Sequence, residues 1–294
     1  RARIDGETRL APGVTALRDG SGEPTGCFLG RGLLGLFLFA PLPDLAAMKA
    51  AIRRGLGEAA RCGLTSVQDP VPSFLLPFLA ELHDADELTL RFHVWGGLTR
   101  GPFGGGVAET LALAREHARA DWISFGTLKG GVDGMPSLRS AALLEPYADD
   151  PGARGASSSD PSRLAAAVRE AHSAGLRVAL HATGDAGVRA AIDAFLADPR
   201  PGLRDRVEHA FLLDAADIPR LAAAGTIVSV QPSFLARDLA QGGVYERRFG
   251  AERCAHVLPL RLLADAGVTL AFGTDFSLNA LRRDAFPRHV ETSS

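Results

Sequence analysis

Cysteine is scarce in this sequence of 294 residues, and its placement excludes two kinds of stabilised fold. The three cysteines, Cys27, Cys62 and Cys254, lie far apart and form no Cys-x-x-Cys pair. An odd and scattered set neither completes a disulfide framework nor supplies the paired thiolates of a structural zinc site. A reducing compartment is therefore the default expectation.

Long apolar runs and excess charge are lacking as well. The longest apolar run, from Gly32 to Pro43, is far shorter than the roughly 20 residues that a membrane-spanning helix needs. No signal-peptide pattern precedes it, so we expect a cytoplasmic protein. The 32 basic and 34 acidic residues give a formal net charge of -2, which favours neither nucleic acid nor a membrane as a partner. We expect a small-molecule substrate and leave self-association into a homo-oligomer open.

The sequence does contain a repeated alternation of strand-like and helix-like segments. The predicted strands are 64–69, 91–97, 123–130, 177–184, 205–210, 226–233 and 269–276. The predicted helices are 45–61, 74–86, 105–120, 161–175, 186–197, 214–224 and 256–267. Because the strands are almost continuously apolar, they indicate a parallel sheet covered by helices. The predicted fold is α/β, a (β/α)8 TIM-type barrel with about seven of its eight βα units present.

The chain is predicted to fall into three parts. Residues 1–44 are rich in glycine and proline without a clear period, which predicts an irregular excursion before the barrel repeats. Residues 45–279 are predicted to form the barrel catalytic domain, in part. Residues 280–294 turn basic and polar where an apolar last helix is expected, and form an atypical tail. The chain opens on Arg1 rather than methionine, so we expect its true start to lie upstream.

Three predicted strands end on a residue that can bind a metal, namely His181, His209 and Asp275. In a parallel barrel the carboxyl ends of all strands meet at one mouth, so these side chains should lie together. Neutral imidazoles suit a cation such as Zn2+, and a carboxylate can both ligate it and act as a general base. The structural alternatives are hydrogen-bonded core histidines and an aspartate that caps a helix. Asp185 is expected to be such a helix N-cap.

Lys129 ends the third predicted strand, between glycines. Burial lowers the pKa of a lysine, and the neutral amine can form a Schiff base or react with carbon dioxide to give a carbamate. A salt-bridged lysine is the structural alternative. Three functions follow: a metal-dependent hydrolase, a metal-free aldolase-like barrel with Lys129 as its Schiff-base nucleophile, or a non-catalytic remnant. The presence of His181, His209 and Asp275 favours the first, because they have no joint purpose in Schiff-base chemistry.

The motifs LKGGVDG, LHATGDAG, RVEHA, VSVQPSF and FGTDFS, in this order and spacing, resemble the amidohydrolase superfamily. The resemblance is to its YtcJ-like, amidohydrolase family 3 branch of metal-dependent hydrolases. GEPTG at 22–26 and GLTSVQD at 63–69 extend it over most of residues 1–279. It implies a (β/α)8 barrel enzyme that hydrolyses a carbon–nitrogen bond other than a peptide bond, such as an amide or N-formyl group. The implied cofactor is Zn2+ or a similar divalent cation, one or two per chain, which activates water.

The resemblance also implies roles for individual residues. Lys129 matches the lysine that is carboxylated in many members. His181 and His209 match the metal ligands of the fifth and sixth barrel strands. Asp275 matches the aspartate of the eighth strand, which serves as ligand and catalytic base. The substrate-pocket candidates, on loops that match those of the family, are Asp133 and Gln231.

Two family features are missing from this sequence. No His-x-His pair, which superfamily members carry on the first barrel strand, occurs anywhere in the chain. The small β-sandwich domain of the family also has no counterpart. We therefore expect an internal piece of a longer enzyme or an aberrant gene product, with at most one weakly held metal and little or no activity. Two unpaired strand edges are expected, beginning near Leu64 and Thr269.

The remaining histidines divide into two groups. His83, His117, His172 and His256 fall on or beside predicted helices, which favours solvated or capping roles. His93 lies instead within the second predicted strand, RFHVWGG. A core role is favoured for it, and the alternative is a hydrogen bond that supports a metal ligand from behind.

Overall fold

The computed structural model describes residues 10, 14–29, 44–99, 105–234 and 242–275, so the predicted tail at 280–294 lies outside the described residues. The chain divides into two compact units, 1–56 and 57–294.

In the first unit, β1 (Thr15–Arg18) pairs antiparallel with β2 (Pro24–Leu29). This hairpin lies within residues 1–44, where the sequence predicted no regular element. The residues of β1 are mostly exposed, so no apolar alternation marks the strand in the sequence.

The second unit is built on a seven-stranded parallel sheet whose strands follow one another in chain order. These strands are β3 (Ser66–Asp69), β4 (Arg91–Gly97), β5 (Ile123–Gly131), β6 (Arg177–Ala182), β7 (Arg206–His209), β8 (Ile227–Val230) and β9 (Thr269–Phe272). Each overlaps one of the seven predicted strand segments. The predicted parallel α/β sheet is therefore confirmed, and it is consistent with part of a TIM-type barrel.

Helices connect the strands. They are α1 (Leu45–Arg61), α2 (Leu76–Asp84), α3 (Gly106–His117), α4 (Pro161–Ser173), α5 (Asp185–Leu196), α6 (Ile218–Ala223), α7 (Val244–Phe249), α8 (Ala251–Cys254) and α9 (Leu260–Asp265). Short 3-10 turns lie at Ser73–Leu75, Pro136–Leu138 and Ala215–Asp217. The sequence predicted each α-helix except α7 and α8, which are too short to show a helical period. None of the helices in the described ranges combines the length and apolar character needed to cross a bilayer.

The sheet is curled rather than flat. Nη1 of Arg206 on β7 donates a hydrogen bond of 2.9 Å to Oε1 of Gln68 on β3. These strands are four positions apart, which in a flat sheet is about 19 Å. The curl brings the strand ends towards one another on the inner face. β3 and β9 stand at the two ends of the strand order and contain no buried residue, whereas every residue of β8 is buried.

His172 on α4 is a structural residue, and its predicted solvated or capping role is wrong. Its side chain has no exposed surface, and its Nδ1 and Nε2 lie 3.0 Å from carboxylate oxygens of Asp198 and Asp205 respectively. Asp205 also accepts the backbone N–H of Val178 at 2.8 Å. Burial by itself lowers the pKa of His172, but the two carboxylates outweigh burial and raise the pKa above its ordinary value. The residue thus joins α4 to the segment between α5 and β7.

The raised pKa of His172 predicts a pH-dependent contribution to stability. The contribution is complete below the pKa of an unfolded histidine, about 6.5, and is lost as pH rises through the higher folded pKa. We expect His172→Gln to lower the free energy of unfolding more at about pH 5.5 than at about pH 8.5. Denaturant titration of both proteins at the two pH values measures this. An equal loss at both values would contradict the expectation.

Candidate metal centre

Lys129 and His181 face the inside of the curled sheet because of the pairing between β5 and β6. Gly131 is in register with His181, and Lys129 lies two residues before Gly131 on the same face. The alternating residues Leu128 and Leu180 belong to the core packed against the helices. In-register side chains of neighbouring parallel strands share a face, so the lysine and the histidine point inwards together.

His209 reaches the same face through a break in strand geometry. Glu208 is in register with His181, whereas His209 is in register with Ala182, which belongs to the outer core. Regular alternation would therefore direct His209 outwards. Instead His209 and Ala210 have φ values of 78° and 44°, in the left-handed region that is costly for residues with a side chain. The imidazole of His209 then lies 4.6 Å from that of His181, centroid to centroid.

Among the described residues, no hydrogen-bond partner is found for one nitrogen of each of these imidazoles. Nε2 of His181 donates to the carbonyl of Gly134 at 2.9 Å, and Nδ1 of His209 donates to Oε1 of Gln231 at 2.8 Å. The lone pairs that remain are on Nδ1 of His181 and Nε2 of His209. Burial lowers the pKa of His181 to about 3 and that of His209 to about 4, and nearby groups, His209 and Lys129 respectively, reinforce the effect. Both rings are thus neutral at neutral pH, the form that binds metals.

The amine of Lys129 lies near the ring of one aromatic residue, Trp95. Its Nζ is 5.8 Å from the ring centroid of Trp95 on β4, and the guanidinium carbon of Arg206 is 5.0 Å from the same indole. Burial lowers the pKa of Lys129, while the charges of Glu208 and Asp275 act in the opposite direction. The amine is therefore neutralised more readily than it would be in water.

An interior ion pair on β7 was missed by the sequence reasoning. Nε of Arg206 lies 2.7 Å from Oε1 of Glu208, and both side chains are less than a tenth exposed. Burial raises the pKa of Glu208, but the charges of Arg206 and Lys129 outweigh it, so the pKa lies below its usual value. The two-residue spacing within RVEH could have revealed the pair, because alternate residues of a strand share a face.

Asp275 follows β9 with a φ of 53° and lies near enough to Lys129 and His181 for their charges to act on its carboxyl group. Partial desolvation of the carboxyl group raises its pKa, although the residue keeps exposed surface, and the proximity of Lys129 and His181 opposes that shift. Partial desolvation of the carboxyl group and the charge of Asp275 together raise the pKa of Asp69, which keeps exposed surface at the end of β3. The structure thus brings Lys129, the two histidines and Asp275 to one end of the curled sheet, beside the ends of its first and last strands.

Asp133, a predicted substrate-pocket residue, is buried within the protein's own backbone. Its side chain has no exposed surface, and its carboxylate accepts backbone N–H groups from Ala142, Thr183 and Gly184 at 2.9, 3.0 and 2.9 Å. A Cβ atom at Gly187 would lie 2.4 Å from Oδ2 of Asp133, which explains the glycine there. These contacts hold the turn after β6, and a contact between Asp133 and a substrate stays a prediction.

Gln231, the other pocket candidate, is 4% exposed and holds the ring of His209. Its contact with a substrate likewise stays a prediction.

Asp185 is not an N-cap, because Gly184 occupies that position with the extended backbone that an N-cap requires. Asp185 is instead the first helical residue of α5, and its Oδ1 accepts the backbone N–H of Leu144 at 2.8 Å.

Lys129 decides whether the cluster suits a cation. Within the described ranges, no three histidine, cysteine, aspartate or glutamate side chains are grouped as a metal site by themselves. The two imidazole lone pairs therefore need a third donor, and zinc sites have three or four protein ligands. A neutral or carbamylated Lys129 is chemically able to provide it, so the donor types present, two imidazoles and one amine or carbamate, suit a divalent cation.

Comparison with known proteins yields one family and several relatives. A family model described as "Amidohydrolase family" matches residues 1–288. The Bacillus subtilis protein YtcJ, whose name places it among the amidohydrolases, is 33% identical over 161 residues, or 54% of this chain and 30% of that protein. LONG AFTER FAR-RED 3 of Arabidopsis thaliana is 29% identical over 171 residues, or 56% of this chain and 29% of that protein. The match therefore spans about 30% of the length of these relatives.

Solved structures share the fold. An uncharacterised metal-dependent hydrolase from Pyrococcus horikoshii superposes with a TM-score of 0.72 at 23% identity, covering 94% of this chain and 55% of that one. A second, from Pyrococcus furiosus, gives 0.68 at 24% identity, covering 86% and 52%. Ochratoxinase of A. niger gives 0.52 at 20% identity, covering 79% and 57%. The chain thus corresponds to about half of each of these structures.

The backbone contacts of Asp133 predict a large effect on stability. Asp133→Ala would leave the buried N–H groups of Ala142, Thr183 and Gly184 without an acceptor, at about 1–3 kcal/mol each. We expect a loss of at least about 3 kcal/mol in the free energy of unfolding, measured by denaturant titration. Asp121→Ala, at an exposed turn, is the matched control and should cost less than about 0.5 kcal/mol. Similar losses in the two variants would show that Asp133 does not hold the turn.

Proposed function

Because the chain belongs to the amidohydrolase family, we propose that Lys129, His181 and His209 hold one divalent cation and serve the hydrolysis of a carbon–nitrogen bond other than a peptide bond. The observation that carries the proposal is the pair of neutral imidazoles, 4.6 Å apart between ring centroids, each with a free lone pair. Zn2+ suits nitrogen donors of this kind. The structural relatives named as metal-dependent hydrolases support a cation in this fold.

Lys129 would take part as a carbamate. Its neutral amine attacks the carbon of carbon dioxide, a nitrogen–carbon bond forms, and the nitrogen releases one proton to solvent. The product carries one negative charge on two oxygens, which a divalent cation binds. The lowered pKa of Lys129 favours this reaction, because only the neutral amine has the required lone pair.

The proposal assigns proton transfer and ligand orientation to the side chains around the cation. A cation bound here would polarise a carbonyl group and lower the pKa of a coordinated water towards about 7. Asp275, at the mouth beside Lys129 and His181, accepts the proton of the attacking water and returns it to the leaving nitrogen. Oε1 of Gln231 accepts the hydrogen bond that Nδ1–H of His209 donates, and this keeps Nε2 of His209 unprotonated. The substrate class is a small amide, N-formyl or related compound.

A Schiff-base role for Lys129 gains no support from the family match. The two neutral imidazoles with free lone pairs add nothing to an amine nucleophile, whereas they suit a cation. No His-x-His pair occurs in this sequence, so the first-strand histidine ligands that the resemblance implies are not available here to a second cation. We therefore propose one bound ion and a site that is slow compared with ordinary enzymes.

The first test is the metal content of purified protein. We expect about one zinc per chain after incubation with zinc and bicarbonate followed by dialysis, and His209→Ala should lose most of it because only two donors remain. His83→Ala is the matched control, since His83 lies on α2 and bonds to neighbouring Asp84. Elemental analysis makes the measurement. Equal zinc in the two variants would exclude His209 as a ligand.

The second test is hydrolysis itself. With zinc and bicarbonate added, a panel of N-acyl and N-formyl compounds should be hydrolysed at a rate below about 1 per second, and Asp275→Asn should lower that rate at least about 10²-fold. Product amine is measured after long incubation. A zinc-loaded protein that releases no more amine than Asp275→Asn would contradict the proposed reaction. A rate of about 1 per second or more would contradict the expectation of a weakened site.

A further inference from the structure

We propose that His93 is a positioning residue for Lys129, acting through a β-bulge at Gly126 that turns the lysine towards the inside of the sheet. The catalytic meaning of this inference rests on the proposed function. Its geometric part does not, because it concerns only which face of β5 presents Lys129.

The register between β4 and β5 contains one extra residue. Val94 pairs with Phe125, but the next residue, Trp95, pairs with Thr127, so Gly126 has no partner on β4. Pairing then continues regularly to the carboxyl end of the strand, where Gly97 is in register with Lys129. An extra residue of this kind is a β-bulge, and bulges redirect the side chains that follow them.

The bulge exchanges the inner and outer faces of β5. Ser124 and Thr127 are three residues apart, an odd number that would place them on opposite faces of a regular strand. Both nonetheless bond to the ring of His93, so they share a face. Beyond the bulge, Thr127 and Lys129 face inwards while Leu128 belongs to the outer core. Without the extra residue Lys129 would face the helices, since a shift of one residue reverses every later side chain.

His93 clamps the bulge from the neighbouring strand. Its Nδ1 lies 3.0 Å from Oγ of Ser124 and its Nε2 2.9 Å from Oγ1 of Thr127, so one ring spans the two sides of Gly126. A Cβ at Gly126 would lie 3.3 Å from Cε1 of His93, and the φ of 157° there is one that residues with a side chain rarely adopt. The ring therefore packs closely on Gly126, and a side chain there would have to displace it by a few tenths of an ångström as well as adopt this φ.

A neutral ring forms both hydrogen bonds with one donor and one acceptor nitrogen, because each hydroxyl group can donate or accept. Burial lowers the pKa of His93, and the charges of Arg177 and Arg206 reinforce the effect, so the ring stays neutral. A glutamine amide also offers a donor and an acceptor on one planar group. His93→Gln is therefore the conservative replacement, and His93→Ala removes the clamp.

The chain offers a direct measurement of where Lys129 points, because Lys49 and Lys129 are its only lysines. Protein labelled with 13C-lysine gives two side-chain Cε–Hε signals in NMR, and Lys49→Arg assigns them. The Lys129 signal should be displaced by the ring current of Trp95, whose centroid is 5.8 Å from Nζ. The measurement is made without metal, and Lys49 serves as the internal reference.

We expect His93→Ala to abolish the displacement and to weaken zinc binding about 10–100-fold, and His93→Gln to restore most of both. His83→Ala, a histidine beside a different tryptophan, Trp122, should change neither. Circular dichroism establishes which variants fold. If His93→Ala does not fold, the combination of Ser124→Ala with Thr127→Val removes both clamp partners while keeping the ring, and should have the same effect.

Three outcomes would overturn the positioning role. In a folded clamp variant, an unchanged Lys129 signal would show that the bulge needs no clamp. A lost displacement with zinc affinity unchanged would show that the facing of Lys129 does not matter to the cation. Failure of His93→Gln to restore the signal lost in His93→Ala would exclude the two hydrogen bonds as the cause. By contrast, wild-type protein that shows the displaced signal but binds no zinc would contradict the proposed function and leave the geometry standing.

Discussion

The in-register parallel pairing of β5, β6 and β7 is the constraint on which the site depends. It places Gly131 beside His181, and His181 beside Glu208, at one level of the curled sheet. Every side chain at that level must then face either the helices or the interior, and the apolar residues between them occupy the helical side. The polar residues are left on the inner face, where burial neutralises the imidazoles and lowers the pKa of Lys129.

Two departures from regular geometry adjust this arrangement. The bulge at Gly126 reverses the faces of β5, and the left-handed backbone of His209 turns an outward position inwards. Each is energetically unfavourable by itself and is held by its surroundings. His93 packs on the first, and Gln231 bonds to the ring of the second. Irregular backbone thus occurs where side chains from different strands must meet, while β6 between them remains regular.

On the inner face, a buried positive charge is paired with a buried negative charge. Arg206 is paired with Glu208 and bonds to Gln68 across the sheet, so two charged groups share one enclosed space with Lys129. Removing one partner of such a pair leaves the other charge buried and uncompensated, which is far more costly than the pair is stabilising. The interior of this sheet therefore contains a connected polar network. The proposed metal ligands form only the part of it at one end of the sheet.

The sequence by itself determined the seven strands, most of the helices and the residue types at the strand ends, because apolar periodicity and turn residues act over a few neighbouring positions. It also led to His181, His209 and Asp275 as residues at strand ends, and regular strand geometry suffices to direct His181 inwards. Only the tertiary structure decided that His209 turns inwards, that Asp133 binds backbone, that Gly184 rather than Asp185 caps α5, and that His172 is buried between two carboxylates. Each of these depends on groups far apart in the chain, whose hydrogen bonds and packing override local preference, and no spacing within one segment records them.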